Sequence, residues 1–175
     1  GVLDACGWRQ VTAGANHTCG LDSTQEIHCW GKDVDGQSSG VPTGQFLAVS
    51  AGHNQNIALS PAGEMTAWGE LHTGQHLVPE GSFSAIAPAT YHNCAMDPTG
   101  AITCWGWDEY GQVTDVPPGQ FAALSSNGYT NCVLDWAGQP VCWGWDADGQ
   151  ASPPTGNFAS ISVGGIHVCA LDTQG

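Results

Sequence analysis

CAMDPTGAITCWGWDEYGQ, residues 94–112, is the stretch whose reading decides the fold. It sets two cysteines ten residues apart around a turn signal, then a Trp-Gly pair, then a loop closed by Gly-Gln. CGLDSTQEIHCWGKDVDGQ (19–37) and CVLDWAGQPVCWGWDADGQ (132–150) are copies of it. IALSPAGEMTAWGELHTGQ (57–75) is a degenerate copy, and CALDTQG (169–175) is a shortened fifth one. The Trp-Gly pairs begin at Trp30, Trp68, Trp105 and Trp143, in steps of 38, 37 and 38 residues. A period near 40 held this steadily points to a propeller or a solenoid.

Working outward, an aromatic stands eleven residues before each first cysteine position: Trp8, Phe46, Phe83, Phe121 and Phe158. A short alternating segment comes after each one, then a Gly/Ser/Asn bend and a second strand through the cysteine position. Asp-x-x-Gly makes the next turn, and a third strand carries the second cysteine and the Trp. No window has convincing helical periodicity. Three or four strands in 37–38 residues is the size of one propeller blade. The expectation is an all-β, single-domain chain (1–175) of about five repeats.

Cys19/Cys29, Cys94/Cys104 and Cys132/Cys142 share one spacing across a hairpin, where facing strands bring Cα atoms into disulfide range. In the second repeat both positions change together, to Ile57 and Ala67, as a paired role requires. Cys6 and Cys169 lie at opposite ends, and pairing them would let residues 1–7 supply the last unit's third strand and close a five-bladed ring. An open or dimer-completed arrangement is the alternative. Disulfides indicate an oxidising compartment, so the chain reads as secreted, and its start at Gly1 fits a processed protein.

The formal net charge is −14, with only Arg9 and Lys32 as cations. Nucleic acid and anionic membrane surfaces are poor partners for such a chain, because both recruit Lys and Arg. No apolar run approaches the roughly 20 residues of a membrane-spanning helix.

The pattern of an aromatic, a Ser/Ala-Gly bend, His-x-Cys, Leu-Asp and Trp-Gly-x-Asp-x-x-Gly-Gln resembles the regulator of chromosome condensation repeat. That superfamily includes β-lactamase inhibitor protein II, and its members are β-propellers, commonly seven-bladed. The resemblance implies the fold and not the activity. Five units, hairpin cysteines and the lack of basic residues depart from the nuclear members and argue against chromatin binding and small-GTPase exchange.

Trp30, Trp68, Trp105 and Trp143 recur in every complete unit and read as packing between blades. The amides of Gln37, Gln75, Gln112 and Gln150 read as ties to loop backbone, and the histidines near the bends (His17, His53, His92, His167) as hydrogen-bonded structural groups. Trp107 and Trp145 differ, since Lys32 and Glu70 occupy their place in other repeats. Lying two residues past the core Trp, they would share its face on a continuing strand, but the loop begins here and leaves room for exposure. Each precedes an aspartate, Asp108 or Asp146, and Asp33 stands at the same place in the first repeat. An indole face beside a carboxylate is an arrangement that holds sugars; alternatively the Trp covers its neighbouring blade and the Asp caps a turn. The pairs Asp33/Asp35 and Asp146/Asp148 also invite a calcium reading, although the EF-hand spacing is missing.

No nucleophile with a base partner, no GxSxG, no HExxH and no phosphate-cradling glycine motif occurs, so catalysis is not expected. Two binding functions remain. The expected one, favoured by the repetition of the Trp/Asp loops, is a multivalent lectin for glycans or glycoproteins, with room for a homo-oligomer and with repeated weak sites summed by avidity. The other is a protein-binding propeller that engages a basic partner through Trp107, Tyr110, Tyr129, Trp136 and Trp145, steered by its charge.

Overall fold

A computed structural model describes residues 7–70 and 72–173. Each repeat is a meander of short antiparallel strands, and the described residues form five sheets. The first contains β1 (Trp8–Ala13), β2 (His17–Asp22) and β3 (Ile27–Gly31). The second contains β4 (Ala48–Ala51), β5 (Gln55–Leu59) and β6 (Met65–Gly69). The third contains β7 (Ala85–Pro88), β8 (His92–Met96) and β9 (Ile102–Gly106), and the fourth β10 (Ala123–Asn127), β11 (Thr130–Leu134) and β12 (Pro140–Gly144). The fifth has two strands, β13 (Phe158–Val163) and β14 (Val168–Asp172). All-β repetition of antiparallel sheets matches the expectation, with three strands in each of the first four units and two described in the fifth.

The hairpin between the second and third strands is closed by an aspartate side chain in the first, third and fourth units and by the Ser60 hydroxyl in the second. Asp97 Oδ1 accepts the amides of Thr99 (2.7 Å) and Ala101 (3.1 Å), and Asp135 does the same for Ala137 and Gln139. The residue three positions later takes a positive φ: Gly63, Gly100 and Gly138, but Gln25 (φ 69°) in the first unit. Its carbonyl then receives the amide of the next unit's aromatic, as Gly100 O does from Phe121 N at 2.8 Å.

Cys19 faces Cys29, Cys94 faces Cys104 and Cys132 faces Cys142 in register, and each pair is a disulfide with Cα atoms 4.1 Å apart. Ile57 faces Ala67 in the same register, which explains their joint replacement. The expected Cys6–Cys169 bridge lies outside the described residues. Cys169 is exposed, whereas Cys19, Cys94 and Cys132 are fully buried.

The core lies in layers between consecutive sheets. Ile57 and Leu59 of β5 pack with Phe83, Ala95 and Trp105 of the third unit, while Ala58 on the opposite face joins Val49, Trp68 and residues of the first unit. Middle strands are thus buried on both faces, which is why β5 and β11 carry no exposed position.

The layers are latched by one repeated set of hydrogen bonds. Trp68, Trp105 and Trp143 donate Nε1–H to the backbone carbonyls of Gln37, Gln75 and Gln112 at 3.0–3.2 Å. Asn56, Asn93 and Asn131 donate to the same three carbonyls. Each glutamine in turn accepts, through Oε1, the amide two residues earlier. His17 and His92 bond Asn56 and Asn131 of the following unit, both at 2.7 Å. His53 and His167 are exposed instead.

Candidate functional site

The site is built from the residues just beyond each core Trp. Gly69, Gly106 and Gly144 have φ of 98°, 110° and 97°, so the chain leaves the strand at that residue. A Cβ on Gly106 would lie 2.7 Å from the Tyr91 carbonyl, so the turn and the close approach both require glycine. The turn decides between the two placements open to them: the strand has ended, and Trp107 and Trp145 do not share the face of Trp105 and Trp143. They swing out to the rim at the start of the middle strands.

There a second constant contact fixes them. The amide of Trp107 donates to Tyr91 O and that of Trp145 to Tyr129 O, each at 3.0 Å. Lys32 N to Asn16 O (2.9 Å) and Glu70 N to Asn54 O (3.0 Å) are the same bond in the first two units. One backbone geometry therefore presents four different side-chain pairs: Asn16–Lys32, Asn54–Glu70, Tyr91–Trp107 and Tyr129–Trp145. Only the last two are aromatic, and they are adjacent.

They meet in one cluster. Trp107 and Tyr129 have ring centroids 5.3 Å apart, Trp107 and Tyr110 5.5 Å, and Tyr91 lies 6.0 Å from both Trp107 and Tyr129. Tyr110 and Tyr129 each stand 6.3 Å from Trp145. Tyr91, Trp107, Tyr129 and Trp145 are half-buried and Tyr110 is 41% exposed, so the cluster forms surface. Thr73, Tyr91, Trp107 and Tyr129 line a cleft of about 240 Å³ in it. Burial raises the Tyr129 phenol above its ordinary pKa, helped by Tyr91, Tyr110 and the Glu109 carboxylate.

The aspartates have other work. Asp108 Oδ1 accepts the amides of Val113 (2.7 Å) and Thr114 (3.2 Å). Burial pushes its carboxyl up, but these amides, the Thr114 hydroxyl and His92 outweigh that and hold it below its ordinary value. Asp33 Oδ1 accepts the amides of Ser38 and Ser39, and Asp146 accepts Ala151 N and the Ser152 hydroxyl. All three are loop caps in separate units, and the structure does not gather them. Asp35 and Asp148 lie beside them in the Gly-Gln loops, where their amides donate to Gln37 and Gln150. The one His/Cys/Asp/Glu group among the described residues close enough to share a metal is elsewhere, at Asp22, Glu26 and His28. Trp136 is 73% exposed on the β11–β12 hairpin and takes no part in the cluster.

Tyr91 is the member that sequence reasoning missed. Its clue was its place directly before His92, equivalent to Tyr129 before Thr130. A second hollow, of about 470 Å³, lies where β1, β4, β7 and β10 converge; its wall is small residues and backbone, with His53 and Asn127 at its edge.

Residues 8–37 match the regulator of chromosome condensation (RCC1) repeat. Solved structures extend the likeness to the whole chain. The ectodomain of the receptor kinase CR4 from Physcomitrella patens aligns over 98% of this chain and 49% of its own, at 26% identity and a TM-score of 0.84. The CRINKLY WD40 ectodomain of the Arabidopsis thaliana receptor kinase ACR4 gives 98%, 63%, 26% and 0.82 in the same order. Prp20p of Saccharomyces cerevisiae, described as binding Gsp1p and histones, aligns over 94% of this chain and 56% of its own, at 17% identity and 0.78. The sheets are therefore those of RCC1-like propeller blades, and the chain spans about half to two-thirds of the length of these structures. No curated protein matches significantly.

Proposed function

We propose that this chain is a non-catalytic binding domain of the extracellular space or secretory pathway, which recognises a basic protein partner through the aromatic surface around Trp107. The observation that carries this is asymmetry. The four rim positions share one backbone geometry, yet aromatic pairs occupy only two adjacent ones and merge into one patch. A single aromatic patch on a chain of net charge −14 suits one protein interface, with ring anchors at its centre and long-range attraction of a basic partner. A multivalent lectin would instead repeat its site, and the carboxylates such sites would use are engaged in loop caps.

Carbohydrate binding at this same patch is the second reading, favoured by a cleft of monosaccharide size walled by three rings. Three disulfides and the likeness to receptor ectodomains support the compartment.

Five consecutive sheets support five propeller blades as the finer reading of the fold, and the faces of equivalent residues are covered unequally along them. Trp30 is 42% exposed whereas Trp68, Trp105 and Trp143 are 6–7% exposed, because each of those three is covered by the preceding unit's glutamine loop. Leu171 on β14 is 61% exposed, where Leu21, Leu59 and Leu134 are at 2–3%.

The experiment is a pair of arrays, one of basic and neutral peptides and one of glycans, probed with the oxidised protein and with Trp107→Ala. Salt-sensitive hits on basic peptides that vanish in the variant are expected. Glycan hits that depend on Trp107 would move the assignment to the sugar reading, and hits indifferent to the variant would remove the patch from function.

A further inference from the structure

Within the patch, two junctions between consecutive units can be compared position by position. Tyr110 and Thr73 are equivalent: each donates its amide to the Oε1 of the glutamine two residues later, at 2.8 Å. Tyr110 leans over the next unit's pair, 5.8 Å from Tyr129 and 6.3 Å from Trp145, and fills that junction. Thr73 is too short to do this at the junction before it, and the space it leaves is the cleft walled by Tyr91, Trp107 and Tyr129.

The walls say what the cleft can hold. Its polar inventory is poor, because the Thr73 hydroxyl is spent on Tyr91 O at 3.0 Å. Asp108, next to Trp107 in sequence and half-buried, is engaged by the amides of its own loop. A sugar needs several directed hydrogen bonds and finds few here. What the cleft offers is ring faces, with their negative quadrupoles, on a chain whose net charge of −14 surrounds them with negative potential. An organic cation with an apolar body needs those two features and little else.

We infer that the Thr73–Tyr91–Trp107–Tyr129 cleft is a cation pocket, which takes an alkylated ammonium or a Lys or Arg side chain between the three rings. The inference rests on the reading of the patch as a recognition surface and adds the chemistry of the group seated at its centre. The field of the acidic chain draws the cation in, and the rings hold it once desolvated.

The test follows the indole Nε1–H resonance of Trp107 by NMR during titration with choline, its uncharged isostere 3,3-dimethylbutan-1-ol, N-acetyl-lysinamide, N-acetyl-argininamide and methyl glucoside. At least one of the cations is expected to shift Trp107 saturably and to bind about fivefold or more tightly than the uncharged isostere. The contrast between choline and the two amino-acid amides tells a free quaternary ammonium from a protein side chain. Thr73→Tyr copies a residue the neighbouring junction already accommodates, so it is expected to fold and to weaken binding about tenfold by filling the cleft.

Equal binding of choline and the uncharged alcohol, a Trp107 shift with methyl glucoside alone, or undiminished cation binding by folded Thr73→Tyr would each overturn the inference. Peptide binding that depends on Trp107 but survives Thr73→Tyr would overturn the pocket and leave the interface standing. Loss of any Trp107-dependent binding would overturn both.

Discussion

Trp105 and Trp107 are two residues apart and lead opposite lives. Trp105 is 7% exposed, donates its indole hydrogen to Gln75 O and packs with Ile57, Leu59, Phe83 and Ala95 of two neighbouring units. Trp107 lies beyond the turn at Gly106, half-buried among Tyr91, Tyr110 and Tyr129 on the rim. Counterparts of Trp105 are Trp in every complete unit, whereas counterparts of Trp107 are Lys32, Glu70 and Trp145. Within one chain, sameness marks the positions that hold sheets together, and difference marks the positions free to meet something else.

The sharpest way to break this contrast is at the core. Trp105→Ala removes an indole from the layer between the second and third sheets and leaves Gln75 O with only the longer bond from Asn93. A loss of about 3–5 kcal/mol is expected, measured by guanidinium unfolding of the oxidised protein. A loss below 1 kcal/mol would show that the layers do not depend on these residues.

A smaller effect is expected from replacing the Cys94–Cys104 bridge with the chain's own alternative, Cys94→Ile with Cys104→Ala. A closed loop of this size restrains the unfolded chain by about 2–3 kcal/mol. The introduced Ile–Ala pair, already in register at Ile57 and Ala67, is expected to recover part of it. A double variant as stable as the parent in urea would make the disulfide dispensable to the fold.

His92 supplies a test with a pH axis. Burial holds its imidazole neutral, with a pKa lowered to about 4, and its Nδ1 has no partner among the described residues. The unfolded chain takes up the proton near pH 6.5, so the unfolded state binds more protons between about 6.5 and 4. The stability tied to a neutral His92 is thus complete above about 6.5, falls as the pH drops through this window, and levels off below about 4. Its full extent is up to about 3 kcal/mol. His92→Gln, which copies Gln55 of the second unit, is expected to remove this part of the pH dependence. A variant with the parent's slope between pH 4 and 6.5 would place the titration elsewhere.

Much of this architecture is legible in the sequence because the repeat prints each blade's requirements several times. The Trp spacing marks the meanders, and the paired loss at Ile57 and Ala67 marks the facing strands of the disulfides. The glutamine amides are the ties to loop backbone that their recurrence suggests, although their carbonyls, which no side-chain pattern reveals, carry the latch between sheets. The site is less legible. Alternation carried through Gly106 puts Trp107 on the wrong face, because the positive φ there ends the strand. Sequence adjacency pairs Asp108 and Asp146 with their Trp neighbours, while their oxygens turn back to amides five residues on. Tyr91 meets Trp107 across the ends of two strands, a contact set by register and invisible to local spacing.

The claim that the rim is not scaffold has one direct measurement: guanidinium unfolding of Tyr91→Asn with Trp107→Glu, which transplants the Asn54–Glu70 pair of the second unit onto the third. Both backbones make the same amide-to-carbonyl bond, so an unfolding free energy within about 1 kcal/mol of the parent is predicted. A loss as large as that expected for Trp105→Ala would show that the aromatic patch is part of the core and contradict its assignment as the surface for recognition.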